Sequence, residues 1–260
     1  MSDTKTTAVR VDTGRISRLT LANPQQRNPL SVAVMTELTA RLWELDANDD
    51  VRAIIMDAEG PAFSAGHYLP ELVDRTREEE AHIFDVCSTL MLALERISKP
   101  VVAQVQGPAF AAGCQLVASC DLAVAAETAT FATPGVKIGL FCSTPMVALS
   151  RNIGQKRAMQ MLMTGKPIDA STALSWGLVN DVVPGDDVEA ASHELAESVA
   201  VASMVPIRTG KRAFYEQRTL TTTEAYQRMS HVMADNAVTC DAQEGIGAFL
   251  EKREPVWQDE

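Results

Sequence analysis

The sequence has no uninterrupted apolar run near the ~20 residues that cross a bilayer, so no membrane partner is expected. Its start, Met1 to Val11, is polar and takes on strand character at Thr7. It shows neither the basic-then-apolar order of a signal peptide nor the Arg-rich composition of a transit peptide, so a cytoplasmic location is expected. Basic residues are in the minority: 23 Lys and Arg against 34 Asp and Glu give a net charge of −11. A broad nucleic-acid surface needs clustered cations, so nucleic acid is not expected as a partner. Cysteine is sparse, and Cys87, Cys114, Cys120, Cys142 and Cys240 form no CxxC pair. Their odd number and mostly apolar surroundings suit reduced, buried thiols. The 4 histidines are scattered and none pairs with Cys at ligand spacing, so no metal site is expected. The glycines lack the dinucleotide fingerprint, which removes the case for a redox nucleotide or flavin.

Hydrophobic residues make up 46% of the 260, enough for a sizeable core. Short β-branched runs predict strands at Ala8–Val11, Ser17–Leu21, Val51–Met56, Val101–Val105 and Leu122–Ala126. Helical spacing predicts Val32 to about Ala47, capped by Ser31, a long helix over about Thr76 to Ile97 stopped by Pro100, and Ala111–Ser119. This alternation implies an α/β core with right-handed crossovers. Beyond Ser143 the pattern is mainly helical: Thr144–Ile153, Gln155–Met163, Ala170–Trp176, Val188–Ala202, Pro206–Gln217, Thr223–Val238 and Glu244–Arg253. Lys211 and Arg212 read as an exposed helix face, and Asp121 as an anchor for a helix–strand junction.

Two small-residue loops stand out. Phe63-Ser64-Ala65-Gly66-His67-Tyr68-Leu69 follows a strand and turn, and Gly107 to Leu116 joins a strand to a helix. Taken singly, each also reads as a tight turn whose small residues serve packing. As a pair they could aim two backbone N–H groups at one oxygen, because glycine admits close approach and helix-start N–H groups lack intrahelical partners. That is the geometry of an oxyanion hole.

These residues resemble the crotonase (enoyl-CoA hydratase/isomerase) superfamily over about Val9 to Trp257. The marks are Arg27-Asn28-Pro29-Leu30, Phe63 to Leu69, Lys99-Pro100-Val101-Val102-Ala103, Ala111 to Asp121, Phe131-Ala132-Thr133-Pro134 and Ala248 to Arg253. Cys114 to Asp121 combined with Gly139 to Pro145 resembles in particular the enoyl-CoA hydratase domain-containing protein three subgroup. The resemblance implies a crotonase-like ββα-spiral core over residues 1–200 and a C-terminal helical trimerisation region over residues 201–260. It further implies a homotrimer or dimer of trimers and an acyl-CoA thioester ligand, with no cofactor beyond the CoA of the substrate. The oxyanion donors carry over to the N–H groups of His67 and Ala112. Substrate contacts carry over to Arg27 and Pro29, to Ala65, Gly66, Tyr68 and Leu69, to Phe110 and Gly113, to Pro134, Gly135 and Cys142, and to Lys252.

Where family hydratases carry their two acid/base glutamates, this chain has Gln115 and Gly135. A Gln amide can orient a water but cannot exchange a proton near neutral pH, and Gly has no side chain to do either. One such group is worth roughly 100- to 10,000-fold, so efficient hydration by the family's usual route is not expected. The His67 ring could exchange a proton in place of the glutamates, or only its backbone could matter. Family decarboxylases carry a similar Ser-Ala-Gly-His segment, which keeps a malonyl-type decarboxylase in play beside a catalytically silent acyl-CoA-binding protein. Cys142 and Ser143 read as packing residues near the substrate.

Overall fold

Burial on both faces organises the sheet. The computed structural model describes residues 8–259; residues 1–7, the polar start, and residue 260 lie outside the described residues. β1 (Val9–Asp12) and β2 (Ile16–Leu21) form an antiparallel pair, and β3 (Pro29–Leu30) leads into α1 (Val32–Asp46). β4 (Ala53–Ala58), β5 (Gly66–His67), α2 (Arg77–Arg96), β6 (Val101–Val105), β7 (Ala109–Phe110), α3 (Ala112–Ser119), β8 (Leu122–Ala126) and β9 (Thr130–Ala132) follow. Next come α4 (Ser143–Asn152), α5 (Gln155–Thr164), β10 (Ile168–Asp169), α6 (Ala170–Trp176) and β11 (Asp181–Val183). The chain closes with α7 (Val188–Ala200), α8 (Met204–Gln217), α9 (Thr222–Ala237) and α10 (Cys240–Glu251).

The main sheet runs β1-β2-β4-β6-β8-β11, and every pairing after the first is parallel. Parallel strands need crossovers and covered faces, and their sequences read as continuous apolar runs rather than alternations. Ile54, Ile55 and Met56 of β4, and all of β6, are buried accordingly. α1 and α2 cover one face and α7 the other. Two small sheets, β10-β9-β7 and β3-β5, are separate from the main one and carry the two small-residue loops. They bring β5 and β7 side by side, linked by a bridge between Ser64 and Ala109.

The local signals hold where side chains do the capping. Ser31 Oγ accepts from the Val34 N–H at 3.3 Å, and Thr76 with Glu79 closes a capping box at the start of α2. The strand expected at Val51–Met56 starts at Ala53 instead, since the Val51 N–H turns back to the Asn48 carbonyl at 3.2 Å. The last helix starts at Cys240, four residues ahead of the expected Glu244, because Thr239 caps it by accepting from the Ala242 N–H.

Lys211 corrects the expectation of an exposed face. Its side chain is 6% exposed, and Nζ donates to Asp121 Oδ2 at 2.6 Å and to the Lys99 carbonyl at 2.9 Å. Asp121 anchors the junction as expected: Oδ2 also accepts from the Val101 N–H at 2.8 Å, and Oδ1 from the Tyr215 hydroxyl at 3.0 Å. Burial beside this carboxylate pushes the Tyr215 phenol far above its ordinary value. Among the described residues no helix is long and apolar enough to cross a membrane.

Candidate active site

The site begins with glycines that have no room for a side chain. A Cβ on Gly66, whose φ is +96°, would lie 2.9 Å from the Phe110 carbonyl and 3.2 Å from the Ala112 nitrogen. A Cβ on Gly113 would lie 2.5 Å from the Ser64 carbonyl. The two loops are therefore pressed together backbone to backbone. The Phe110 N–H links them by donating to the Ser64 carbonyl at 2.9 Å, and within the first loop the Gly66 N–H donates to Ser64 Oγ at 3.2 Å. Ser64 Oγ in turn donates to the Asn28 carbonyl at 2.8 Å.

Ala111, the N-cap of α3, has φ 50° and ψ −117°. A non-glycine residue held there stores on the order of 1–3 kcal/mol of strain. Its own N–H is taken by the Ala132 carbonyl at 2.8 Å, while the Ala112 N–H, at the first helical position, has no hydrogen-bond partner among the described residues. The strained turn thus presents one backbone donor at the positive end of a helix dipole.

This donor opens on a cavity of about 530 Å³. Of the residues expected at the site, His67, Ala112, Ala65, Leu69, Pro134, Gly135 and Cys142 line it. The rest stand apart from its wall. Pro29 pairs with Gly66 in the small sheet, the Tyr68 N–H is spent on the Leu30 carbonyl at 3.3 Å, and Phe110 and Gly113 buttress the loop from behind. Gln115 is buried one helical turn beyond Ala112, where its Oε1 faces the Cys87 thiol at 3.8 Å. Arg27 and Lys252 are exposed residues in left-handed caps, at a 3-10 turn and at the end of α10, away from the cavity lining.

Sequence reading missed much of the apolar wall. Leu72 and Phe84 close one side, and Ile138, Leu140, Phe141 and Pro145 the other. Phe84, half-buried on α2 beside the buried Ile83, meets the His67 ring edge-on at 5.4 Å between centroids. Its position one turn before the buried Cys87 is the one signal that could have found it.

The His67 ring is held in apolar surroundings. Burial pushes its pKa below the ordinary value, and the nearby Leu30 carbonyl offsets only part of this. Both ring nitrogens are shielded from solvent and make no hydrogen bond of good geometry. Cys142 lines the same cavity, and its Sγ accepts from the Gly135 N–H at 3.3 Å. A Cβ on Gly135 would lie 2.8 Å from that sulfur and 2.7 Å from the Leu140 carbonyl. Among the cavity-lining residues there is no Asp or Glu; the one charged side chain is Lys137, exposed at the rim.

A twisted parallel sheet with small side sheets, carrying a backbone-built donor over an apolar cavity, is the architecture of the crotonase superfamily. The enoyl-CoA hydratase/isomerase family model matches residues 12–260, and the chain belongs to that family. It is similar to the mitochondrial enoyl-CoA hydratase domain-containing protein 3 of Mus musculus, 44% identical over 257 residues, covering 98% of this chain and 85% of the relative. The crystal structure of the human enoyl-CoA hydratase domain-containing protein 3 superposes with a TM-score of 0.93 at 44% identity, covering 96% of this chain and all of that one. A Mycobacterium smegmatis enoyl-CoA hydratase gives a TM-score of 0.94 at 42% identity, covering 96% of this chain and 98% of that one. The expected cytoplasmic location does not stand, because the mouse, rat and human relatives are all named as mitochondrial proteins.

Proposed function

We propose that this protein binds an acyl-CoA thioester in the cavity and stabilises its enolate with the backbone N–H groups of Ala112 and His67. The observation that carries this reading is the backbone-to-backbone closure of the two loops at Gly66 and Ala112. Charge moving onto the thioester oxygen then meets backbone donors in a cavity lined mostly by apolar residues, and one such donor typically contributes about 100- to 1,000-fold. CoA enters as part of the substrate, and the reaction needs no other cofactor. The exposed Arg27 and Lys252 suit the outer, phosphate-bearing end of such a ligand better than its reacting end.

Efficient hydration is not the proposed reaction. Gln115 spends its carbonyl on Cys87, and Gly135 offers no side chain. Decarboxylation of a malonyl-type thioester is the second reading, favoured by a cavity wall that carries no carboxylate to repel the substrate's own. Residues 201–260 are read as the oligomerisation region. In support, α9 buries none of its side chains, and Tyr226, Met233, Phe249 and Leu250 are exposed apolar residues on α9 and α10.

The test follows loss of enoyl-thioester absorbance with a short trans-2-enoyl-CoA, beside calorimetric binding of the same ligand and a malonyl-CoA assay for released CO₂. Binding with hydration at least about 100-fold below a two-carboxylate enzyme is expected. No thioester binding overturns the proposal, and rapid saturable hydration overturns the exclusion of that reaction.

A further inference from the structure

An enolate needs a group that takes or returns the α-proton, and the cavity offers few. Its titratable lining residues are His67, Lys137 and Cys142. Lys137 is exposed at the rim. The two nitrogens of His67 are shielded, so the ring turns no acid or base toward a ligand. Cys142 is differently placed. It caps α4, lines the cavity, and its sulfur is fixed by the Gly135 N–H at 3.3 Å. Position 135 is built around that sulfur, since any side chain there would meet Sγ at 2.8 Å. Cys142 combines a backbone donor on its sulfur with a place on the cavity wall, and a hydrogen bond to the charged form favours the thiolate.

We propose that the Cys142 thiol is the proton-transfer residue of this cavity, a role that rests on the thioester-enolate reading above. The thiolate takes a proton from the α-carbon of the bound acyl thioester, and the C–H electron pair moves through the α-carbon to the carbonyl oxygen, held by the backbone donors. The new S–H then returns a proton to the α-carbon and the carbonyl re-forms. Exchange of the S–H with solvent between the two steps is the one net change. In decarboxylation the same S–H protonates the enolate left after CO₂ departs, and solvent restores the thiol.

Burial pushes the Cys142 thiol above its ordinary value, with the Gly135 N–H opposing. The charged or titratable groups near it are the buried Cys114 on α3 and, lining the same cavity, His67 and the exposed Lys137. The thiol is therefore mostly protonated at neutral pH, and α-proton abstraction should rise with pH through the ordinary thiol range near 8.5 and beyond.

The experiment is solvent exchange. Butyryl-CoA is incubated with the protein in D₂O across a pD series, and deuterium at the α-carbon is read by mass spectrometry. Exchange that climbs with pD is expected for the wild type, with a loss of about 100-fold or more in Cys142→Ser and Cys142→Ala. The climb should vanish in both while calorimetric binding of butyryl-CoA persists, and Cys240→Ser, at an exposed position, should match the wild type. Exchange within about threefold of wild type in Cys142→Ser, or a butyryl adduct on the sulfur, overturns the proton-transfer role alone. A wild type that binds but never exchanges overturns the enolate reading, and the assignment falls with it. Should Cys142→Ser fail to fold, iodoacetamide on the wild type decides. Modification at Cys142 that butyryl-CoA blocks, with exchange lost, supports the role; full exchange by the alkylated protein overturns it.

Discussion

Two polar sites in this molecule are built on opposite principles. At the Asp121 junction the carboxylate has a donor on each oxygen, from Lys211, Tyr215 and the Val101 N–H, and Lys211 also holds the Lys99 carbonyl. At the cavity, among the described residues, the Ala112 N–H has no partner and both His67 ring nitrogens lack one, and Ala111 sits in a strained turn. Satisfied groups hold a fold together; unsatisfied and strained ones persist only where surrounding structure over-determines them. Here the over-determination comes from glycines at 66 and 113 that let two backbones touch.

The largest loss of stability is expected at the Asp121 junction. Asp121→Ala strips Lys211 of its charged partner while leaving it buried, and a loss of about 3–5 kcal/mol in denaturant unfolding is expected. Below the shifted transition, thioester binding should survive, because the junction lies outside the cavity lining. The opposite pattern should follow from Gly66→Ala. The added methyl meets the Phe110 carbonyl and Ala111 Cβ at 2.9 Å, in a backbone conformation at +96° that alanine resists. A stability loss of about 1–3 kcal/mol is expected, with turnover or thioester binding falling much further than stability.

His67 sharpens the contrast through pH. Its folded pKa is lowered, so as pH falls below about 6.5 the unfolded chain gains a proton that the folded chain takes up only at lower pH. Stability should therefore drop from pH 7 toward pH 5, by at most roughly 1.4 kcal/mol per unit from this residue. His67→Gln should flatten that slope in urea titrations at the two pH values. The smallest effect is expected from Ala111→Gly, which relieves the positive φ and should raise stability by about 1 kcal/mol or less. If the strain serves to aim the Ala112 donor, the more stable variant should turn over more slowly.

Five of the six strands of the main sheet, and the long helices, were legible because each rests on a local signal. β6 and β8 fall at Val101–Val105 and Leu122–Ala126 as expected, since a strand buried on both faces is a plain apolar run. The short strands β3, β5, β7, β9, β10 and β11 were not foreseen, because two or three residues held by pairing to distant segments carry no periodicity. The loops at Ala65–His67 and Ala111–Gly113 announced themselves by small residues and motif, and they do meet. The apolar wall did not: Leu72, Phe84 and Leu140 reach the cavity from separate parts of the chain, and nothing local distinguishes them from core. Lys211 was misjudged for the same reason, since its partner lies 90 positions away.

The clasp between Gly135 and Cys142 also constrains the order in which this site could change over generations. A carboxylate at 135 would collide with the sulfur at 2.8 Å and with the Leu140 carbonyl at 2.7 Å, so that single substitution damages before it can help. Shrinking residue 142 removes the first collision but leaves the second, which needs the turn over residues 139–142 to be redrawn. A lineage carrying this pair is therefore separated from a two-carboxylate site by at least two coupled changes, and selection for hydration would find no uphill first step there.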